Sequence, residues 1–245
     1  GEVAVIGGGN TAIDAARTAL RLGADEVHIL YRRSIEDMPA DLREIHDAVE
    51  EGVKIHTLVA PLKFAGKSKA DKIKCVKMEL KGFDRSGRKV PTAIEGSEFD
   101  FAADMVIPAI SQDVDLPFIR NKEVKITRWG TIDVDRDTMM TGKKGVFAGG
   151  DNVRGADVVI TAIADGKKAA ESIDKYLGGK GILNKGEKID IPKGRDDEEI
   201  VEHERFKMKY LSPEERCGNC KEVSLGFHRL NAYAEAMRCL RCDRR

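Results

Sequence analysis

Residues 3–14 read VAVIGGGNTAID, a short apolar strand followed by three consecutive glycines and the first turn of a helix. Small and apolar residues then recur at helical spacing from Asn10 to Leu22, and Gly23 is placed to end the helix. A second apolar strand follows at Glu26 to Leu30. Strand, glycine turn, helix and strand at this spacing predict a βαβ unit in a parallel sheet.

The glycine loop matches the pattern G-x-G-x-x-A between the strand and the helix. Gly7 permits the tight turn, Gly9 lets a pyrophosphate approach the backbone, and Ala12 lets the helix pack closely. The helix N-terminus adds free N–H groups and a partial positive charge. The alternative is a glycine-rich turn without a ligand. We expect a dinucleotide pyrophosphate to be held by Gly7, Gly8, Gly9, Asn10 and Thr11.

The end of the second strand indicates which dinucleotide binds. NAD sites usually place Asp or Glu there to bind the ribose 2′-hydroxyl. Here the strand ends in Tyr31, Arg32 and Arg33, and guanidinium groups suit a 2′-phosphate. The sequence therefore predicts NADP(H) bound through Arg32 and Arg33, with NAD(H) as the alternative. In the competing interpretation these arginines form surface ion pairs with Glu36 or Asp37.

The rest of the chain continues the α/β pattern and then departs from it. Residues 60–103 read as β hairpins, and residues 178–200 show no apolar period. The further predicted elements are a helix from Pro39 to Glu51, strands at Val53 to Thr57 and Asp104 to Ile110, short strands at 131–134 and 145–148, and helices at Asp157 to Leu177 and Arg229 to Cys239.

Composition excludes several functional classes. Lys+Arg and Asp+Glu are both 42 in 245 residues, so the basic excess that nucleic-acid binding needs is missing. No apolar run approaches the roughly 20 residues of a membrane helix. The N-terminus carries no signal peptide and opens directly into a strand, which suggests a piece of a longer, cytoplasmic protein.

Four of the five cysteines crowd the last 30 residues in the pattern C-x2-C-x18-C-x2-C. Two close pairs of thiolates suit either tetrahedral Zn²⁺ or an iron–sulfur cluster. In a cytosolic protein such a group is more typical of metal ligation than of disulfides. The predicted ligands are Cys217, Cys220, Cys239 and Cys242.

The motifs together resemble those of a known family. Residues 3–14, the stretch from Tyr31 to Ser34 and the triplet Met38-Pro39-Ala40 look like the NADPH domain of the glutamate synthase small subunit and its relatives. The similarity continues through Ser86-Gly87-Arg88 and through residues 141–177, which include GVFAGGD at 145–151. These proteins are flavoproteins of the pyridine nucleotide-disulfide oxidoreductase superfamily. They have two dinucleotide-binding domains, similar in fold to glutathione reductase.

The resemblance implies a second cofactor, FAD. The aspartate of the Gly149-Gly150-Asp151 stretch would bond a ribityl hydroxyl, and the next helix would point its N-terminus at the flavin. The residues implied are Gly150, Asp151, Thr161 and Ala162. The family's first glycine loop, for the FAD adenylate, has no counterpart here, because the chain has no second G-x-G-x-x-G. The tail around Cys239 and Cys242 resembles the start of an iron–sulfur motif in these oxidoreductases.

The expected fold class is α/β. A Rossmann-like NAD(P)-binding domain (1–112) precedes the returning part of a glutathione reductase-type FAD-binding domain (113–177), a linker (178–212) and a four-cysteine module (213–245). The expected function is a NAD(P)H-dependent flavin oxidoreductase module. It would pass hydride from NADPH to FAD, and electrons through iron–sulfur centres to a partner redox subunit. The alternative is a zinc-stabilised docking module with a non-functional FAD half.

Overall fold

The computed structural model describes residues 1–66, 70–84, 87–119, 123–183 and 204–239. The chain divides into two compact units, one of Gly1–Ile110 with Lys193–Arg245 and the other of Ser111–Pro192. The C-terminal segment therefore groups with the N-terminal residues. The predicted linker lies partly outside the described residues, and the four-part division of the sequence stays a prediction.

The first unit contains most of the regular structure. Its elements are β1 (Glu2–Ile6), α1 (Asn10–Arg21), β2 (Glu26–Tyr31), α2 (Leu42–Glu50), β3 (Lys54–Thr57), β4 (Val59–Ala65), β5 (Lys72–Phe83), β6 (Lys89–Ala102) and β7 (Met105–Pro108).

A parallel sheet in the order β3-β2-β1-β7 forms the centre of this unit. Side chains alternate across it because successive residues of a strand point to opposite faces. From β2, Val27 and Ile29 enter a core shared with α1 and α2, whereas Leu30 enters a second core with Ile73 and Cys75 of β5. Helices thus cover one face, and the antiparallel sheet β4-β5-β6 covers the other.

Helix α1 follows the predicted pattern closely. Ala12, Ile13 and Ala16 are buried at helical spacing, and the helix ends at Arg21, one residue before the predicted end. The pattern misplaced the start of the next helix, which was expected at Pro39. Residue Asp41 is the N-cap of α2, and its carboxylate accepts a hydrogen bond from the Arg43 N–H at 2.8 Å. Because Asp41 caps the helix from outside, α2 begins at the next residue, Leu42.

The second unit is irregular apart from α3 (Asp151–Arg154) and α4 (Val159–Tyr176). The strands predicted at 131–134 and 145–148 are wrong, because these residues form only the isolated bridges Ile126–Ile132, Val134–Thr141 and Met140–Phe147. Each bridge is too short to extend into a ladder. A small core still forms, from Val124, Ile132, Met139 and Val153.

Short elements make up the described part of the C-terminal segment. They are β8 (Lys209–Tyr210), α5 (Pro213–Arg216), β9 (Ser224–Gly226) and α6 (Arg229–Met237). The predicted helix in this segment is α6, which ends two residues earlier than expected. No helix among the described residues is long and apolar enough to cross a bilayer.

Candidate dinucleotide site

Two of the three loop glycines are required by the fold itself. Gly7 has φ +146°, and a Cβ added there would lie 2.3 Å from the carbonyl oxygen of Ala109. A Cβ on Gly8 would lie 2.6 Å from the ring of Tyr31. Any side chain at either position would therefore displace neighbouring structure.

Gly9 differs from its two neighbours, because no contact in the described part of the chain requires it to be glycine. Its φ of −90° is ordinary, and a Cβ would meet only Pro39, at 3.9 Å. Gly9 is also the N-cap of α1, with no side chain to cap the helix. The N–H groups of Asn10 and Thr11 have no partner among the described residues, so the loop presents open backbone and free donors.

Contacts from the start of α2 hold the loop in place. The Asp41 N–H donates to the Asn10 Oδ1 at 2.8 Å, and the Ala40 N–H donates to the Gly8 carbonyl at 3.2 Å. The Asn10 side chain is therefore engaged within the protein, and its backbone N–H is the group left for a phosphate.

Arg32 and Arg33, predicted to play the same role, have different surroundings in the structure. Arg32 is exposed and has no hydrogen-bond or ion-pair partner among the described residues. Arg33 is only 8% exposed, and its Nε donates to the carbonyl of Lys89 at 3.0 Å. Its Nη2 lies 3.7 Å from Asp84 Oδ2. Arg33, predicted to bind the cofactor, thus forms an ion pair within the protein, and its partner is Asp84 and not the Glu36 or Asp37 of the competing interpretation.

The turn predicted to meet FAD lies in the second unit. Asp151 is exposed at the first position of α3, with its carboxylate unpaired among the described residues. Thr161 and Ala162 lie in the first turn of α4, whose N-cap, Val158, offers no side-chain hydrogen bond. The Thr161 hydroxyl is already used, because it donates to the Val158 carbonyl at 2.6 Å.

Asp165 supports this turn and was missed by the sequence analysis. It is 3% exposed, accepts from the Gly150 N–H at 3.1 Å, and forms two 2.7 Å hydrogen bonds with Arg154. The hydrogen bonds from Arg154 lower the pKa of Asp165 from 3.8 to about 2, against the opposing effect of burial. A charged residue in the middle of a predicted helix could have indicated this role, but the partners of Asp165 lie 11 and 15 residues away in sequence.

The cysteines do not form an assembled metal site in the described residues. Cys217, Cys220 and Cys239 are exposed free thiols, and Cys242 lies outside those residues. No three ligand atoms from the described cysteines lie within 4.8 Å of one another. The Cys217 thiol donates instead toward the carbonyls of Pro213 at 3.6 Å and Glu51 at 3.8 Å.

A buried charge network joins the cysteine segment to the end of α2, and no pattern in the sequence indicates it. Arg216 is 5% exposed, and its Nη1 lies 3.4 Å from Asp47, 3.6 Å from Glu50 and 3.5 Å from Glu51. Glu51 also accepts from Arg17 at 2.6 and 3.0 Å. Burial raises the pKa of Glu51, but the hydrogen bonds and charge of Arg17 outweigh it, and the pKa is lowered overall.

A protein-family model for pyridine nucleotide-disulphide oxidoreductases matches residues 1–166, which include both the glycine loop and the Asp151 turn. The chain belongs to this family. Its α/β fold and its class, an oxidoreductase similar to the glutamate synthase small subunit, agree with the sequence analysis.

Two of the similar proteins match almost the whole chain, and a third matches about three quarters of it. The NADP(+)-dependent formate dehydrogenase subunit beta of Moorella thermoacetica is 43% identical over 99% of the chain. The NADPH-Fe(3+) oxidoreductase subunit beta of Geobacter sulfurreducens is 39% identical over 99%. The glutamate synthase [NADPH] small chain of Azospirillum brasilense is 47% identical, but over only 73%.

The oxidoreductase chain spans less than half the length of these relatives, 36%, 41% and 38% respectively. Among solved structures, FprA from Mycobacterium tuberculosis in complex with NADPH has a TM-score of 0.57 at 19% identity, over 72% of this chain and 53% of that one. Thioredoxin reductase from T. acidophilum has a TM-score of 0.56 at 22% identity, over 72% and 52%. At this identity the likeness concerns the fold.

Proposed function

We propose that the chain is the NADP(H)-binding module of a flavin-dependent oxidoreductase. The observation that carries this proposal is Gly9. A side chain there would meet only Pro39 among the described residues, and Gly9 precedes a helix whose first N–H groups have no partner in the same part of the chain. A pyrophosphate lying over Gly9 would accept hydrogen bonds from Asn10 and Thr11 and would be stabilised by the positive end of α1.

The preference for NADP(H) over NAD(H) is part of the proposal. Its support is Arg32, an exposed guanidinium with no partner among the described residues, in the region where an NAD site would place an acid. The names of the three relatives, each of which includes NADP(+) or NADPH, agree with this choice.

FAD is the proposed second cofactor, and the second unit fits it. Asp151 offers a carboxylate that is unpaired among the described residues, and α4 begins at Val159 without a side-chain cap from Val158. Thr161 and Ala162 would then lie near the flavin, although their N–H groups already bond the Val158 carbonyl. When bound, FAD would supply a two-electron acceptor for hydride. The protein's part is to bind and orient, because this transfer needs no general acid or base.

We further propose that electrons pass from the flavin to a partner redox subunit in a cytoplasmic complex. Two relatives that match 99% of the chain are named as beta subunits. The four cysteines are proposed to bind an iron–sulfur cluster or zinc on their spacing alone. Because the described thiols do not converge, we derive no electron-transfer step through them.

Calorimetric titration of the purified chain with NADPH and with NADH tests the proposed cofactor directly. We expect NADPH to bind at least about tenfold more tightly, since charge-assisted hydrogen bonds to a phosphate are strong. Equal affinity would remove the preference for NADP(H). Absence of binding by both nucleotides would contradict the function.

Metal analysis of the same preparation separates the two proposals for the cysteines. Iron with visible absorption that dithionite bleaches would support a redox role. One zinc per chain with no colour would support the docking module, which the attachment of this segment through Arg216 also favours. Replacing Cys217 and Cys220 together by serine should release the metal in either case.

A further inference from the structure

The turn between β5 and β6 contacts the end of β2, and that contact uses Arg33. The described residues of this turn are Asp84 and Gly87–Lys89. The Arg33 guanidinium donates to the Lys89 carbonyl at 3.0 Å and faces Asp84 at 3.7 Å. A turn more than 50 residues away in sequence thus occupies one of the two arginines expected to bind a phosphate.

The same turn brings another arginine, Arg88, to this place. Its backbone is fixed by Asp84, whose Oδ1 accepts from the Arg88 N–H at 3.0 Å and whose N–H donates to the Arg88 carbonyl at 2.8 Å. Asp84 therefore determines where the Arg88 side chain leaves the turn.

The Arg88 guanidinium points to the segment after β2. Its Nη2 donates to the Asp37 carbonyl at 3.1 Å and lies 3.5 Å from the Tyr31 hydroxyl. The Tyr31 hydroxyl itself donates to the Asp37 carbonyl at 2.8 Å, and the Tyr31 ring packs on Gly8 of the glycine loop. Both contacts use one nitrogen, and the Arg88 side chain remains exposed.

Exposed guanidinium groups therefore come from two different elements at the carboxyl end of β2. Arg32 lies between Tyr31 and Arg33, and the turn contacts both of these neighbours. Two carboxylates of this region already accept hydrogen bonds, Asp37 from Ser34 at 2.7 Å and Asp84 from the Arg88 N–H at 3.0 Å. A dianionic phosphate would find two arginines here, and β2 ends in Tyr31 followed by Arg32 instead of the Asp or Glu that binds the ribose 2′-hydroxyl in NAD sites.

We propose that Arg88 binds the 2′-phosphate of NADP(H) together with Arg32, in the role that the sequence assigned to Arg33. The inference rests on the proposed function, because it names a further binding residue of the same site. Arg88 would thereby help to determine specificity between the two nicotinamide dinucleotides.

Titrations with 2′,5′-ADP and 5′-AMP, which differ by the 2′-phosphate, test this proposal. Arg88→Gln should weaken 2′,5′-ADP binding by at least about tenfold and leave 5′-AMP binding nearly unchanged, because only the phosphate contact is lost. Arg88→Lys should keep part of the affinity, since it retains the charge. Lys72→Gln, which removes an exposed charge at the opposite end of β5, is the control and should alter neither titration.

Three results would overturn the proposal. Unchanged binding of 2′,5′-ADP to Arg88→Gln would mean that Arg88 does not contact the phosphate. Equal loss for both ligands would mean that Arg88 only ties the turn to the 34–37 segment. If the unmodified chain binds neither 2′,5′-ADP nor 5′-AMP, the proposed function fails as well. The first two results, by contrast, contradict only the role of Arg88.

Discussion

At the scale of single residues, Asp165 shows how one side chain can hold a candidate cofactor-binding turn. It joins α4 to the Gly150 N–H and to Arg154, and it is almost fully buried. A buried carboxylate that lost either partner would be left uncompensated, which is costly. Its hydrogen bonds therefore fix the backbone from which Asp151 projects.

The low pKa of Asp165 predicts a specific pH dependence. Because the pKa is lowered from 3.8 to about 2 in the folded chain, Asp165 contributes stability above pH about 4 and loses it as the pH falls toward about 2. Asp165→Asn should reduce the free energy of unfolding at pH 7 by on the order of 2 kcal/mol. Urea unfolding at several pH values checks this.

The control for that experiment is Asp133→Asn, an exposed aspartate of the same unit. It should change the unfolding free energy little at any pH. If the Asp165→Asn deficit were the same at pH 7 and at pH 2.5, the ion pair with Arg154 would not be its source.

Some residue roles could be predicted from sequence and others could not. The roles of Gly7 and Gly9 could be predicted from a local motif, because the strand before the loop and the helix after it determine the loop's conformation. The contacts of Arg33 and Arg88 could not be predicted, because their partners lie 50 or more residues away in sequence. Side-chain pairing over that separation leaves no periodic signal.

At the scale of elements, the attachment of α5 to α2 is the contact that most needs testing. Arg216 is surrounded by Asp47, Glu50 and Glu51, and its Nε donates to the Leu211 carbonyl at 2.8 Å. Removing one partner from a buried charge network typically costs about 3–5 kcal/mol, because the other charges stay buried.

Arg216→Met should therefore loosen the cysteine segment. We expect amide hydrogen exchange in β8, α5 and β9 to accelerate by at least about tenfold, while β1 and β2 keep their protection. Mass spectrometry of proteolytic peptides would measure this. Arg238→Met, which breaks an ion pair local to α6, is the matched control and should leave β8 unchanged. Unchanged exchange in Arg216→Met would contradict the anchoring role.

Elements with strong periodicity were predicted within a few residues of their observed ends, as α1 and β2 show. The predicted strands at 131–134 and 145–148 were wrong for a physical reason. Short apolar runs have strand propensity, but a strand requires a partner of matching length, and these residues find only single bridges.

At the scale of the whole chain, one glycine loop is present where the resemblance to the glutamate synthase small subunit implies two dinucleotide sites. That loop lies in the first unit, and the sequence contains no second G-x-G-x-x-G to hold an FAD adenylate. We expect the purified chain to bind NADP(H) but to retain FAD at well below one molecule per chain after gel filtration. Absorption spectroscopy measures the ratio, and stoichiometric FAD would contradict this expectation.

The family and fold class followed from the sequence because its motifs are local and fall in the expected order. The grouping of Lys193–Arg245 with Gly1–Ile110 did not follow, since contacts such as Arg216–Glu51 join residues that are 165 positions apart in sequence. Composition alone makes residues 178–212 look like a linker, and it carries no information on where the cysteine segment packs.

The proposed function requires a pyrophosphate to bind over the open backbone at Gly9. Calorimetric titration of Gly9→Val with NADPH tests it most directly, alongside thermal unfolding of the same variant. The φ of −90° suits valine and the site is open, so we expect the melting temperature to stay within a few degrees. NADPH binding should fall by at least about a hundredfold, because the side chain would block the close approach of the phosphate. A stable variant that binds NADPH as tightly as the unmodified chain would mean that no pyrophosphate lies over Gly9.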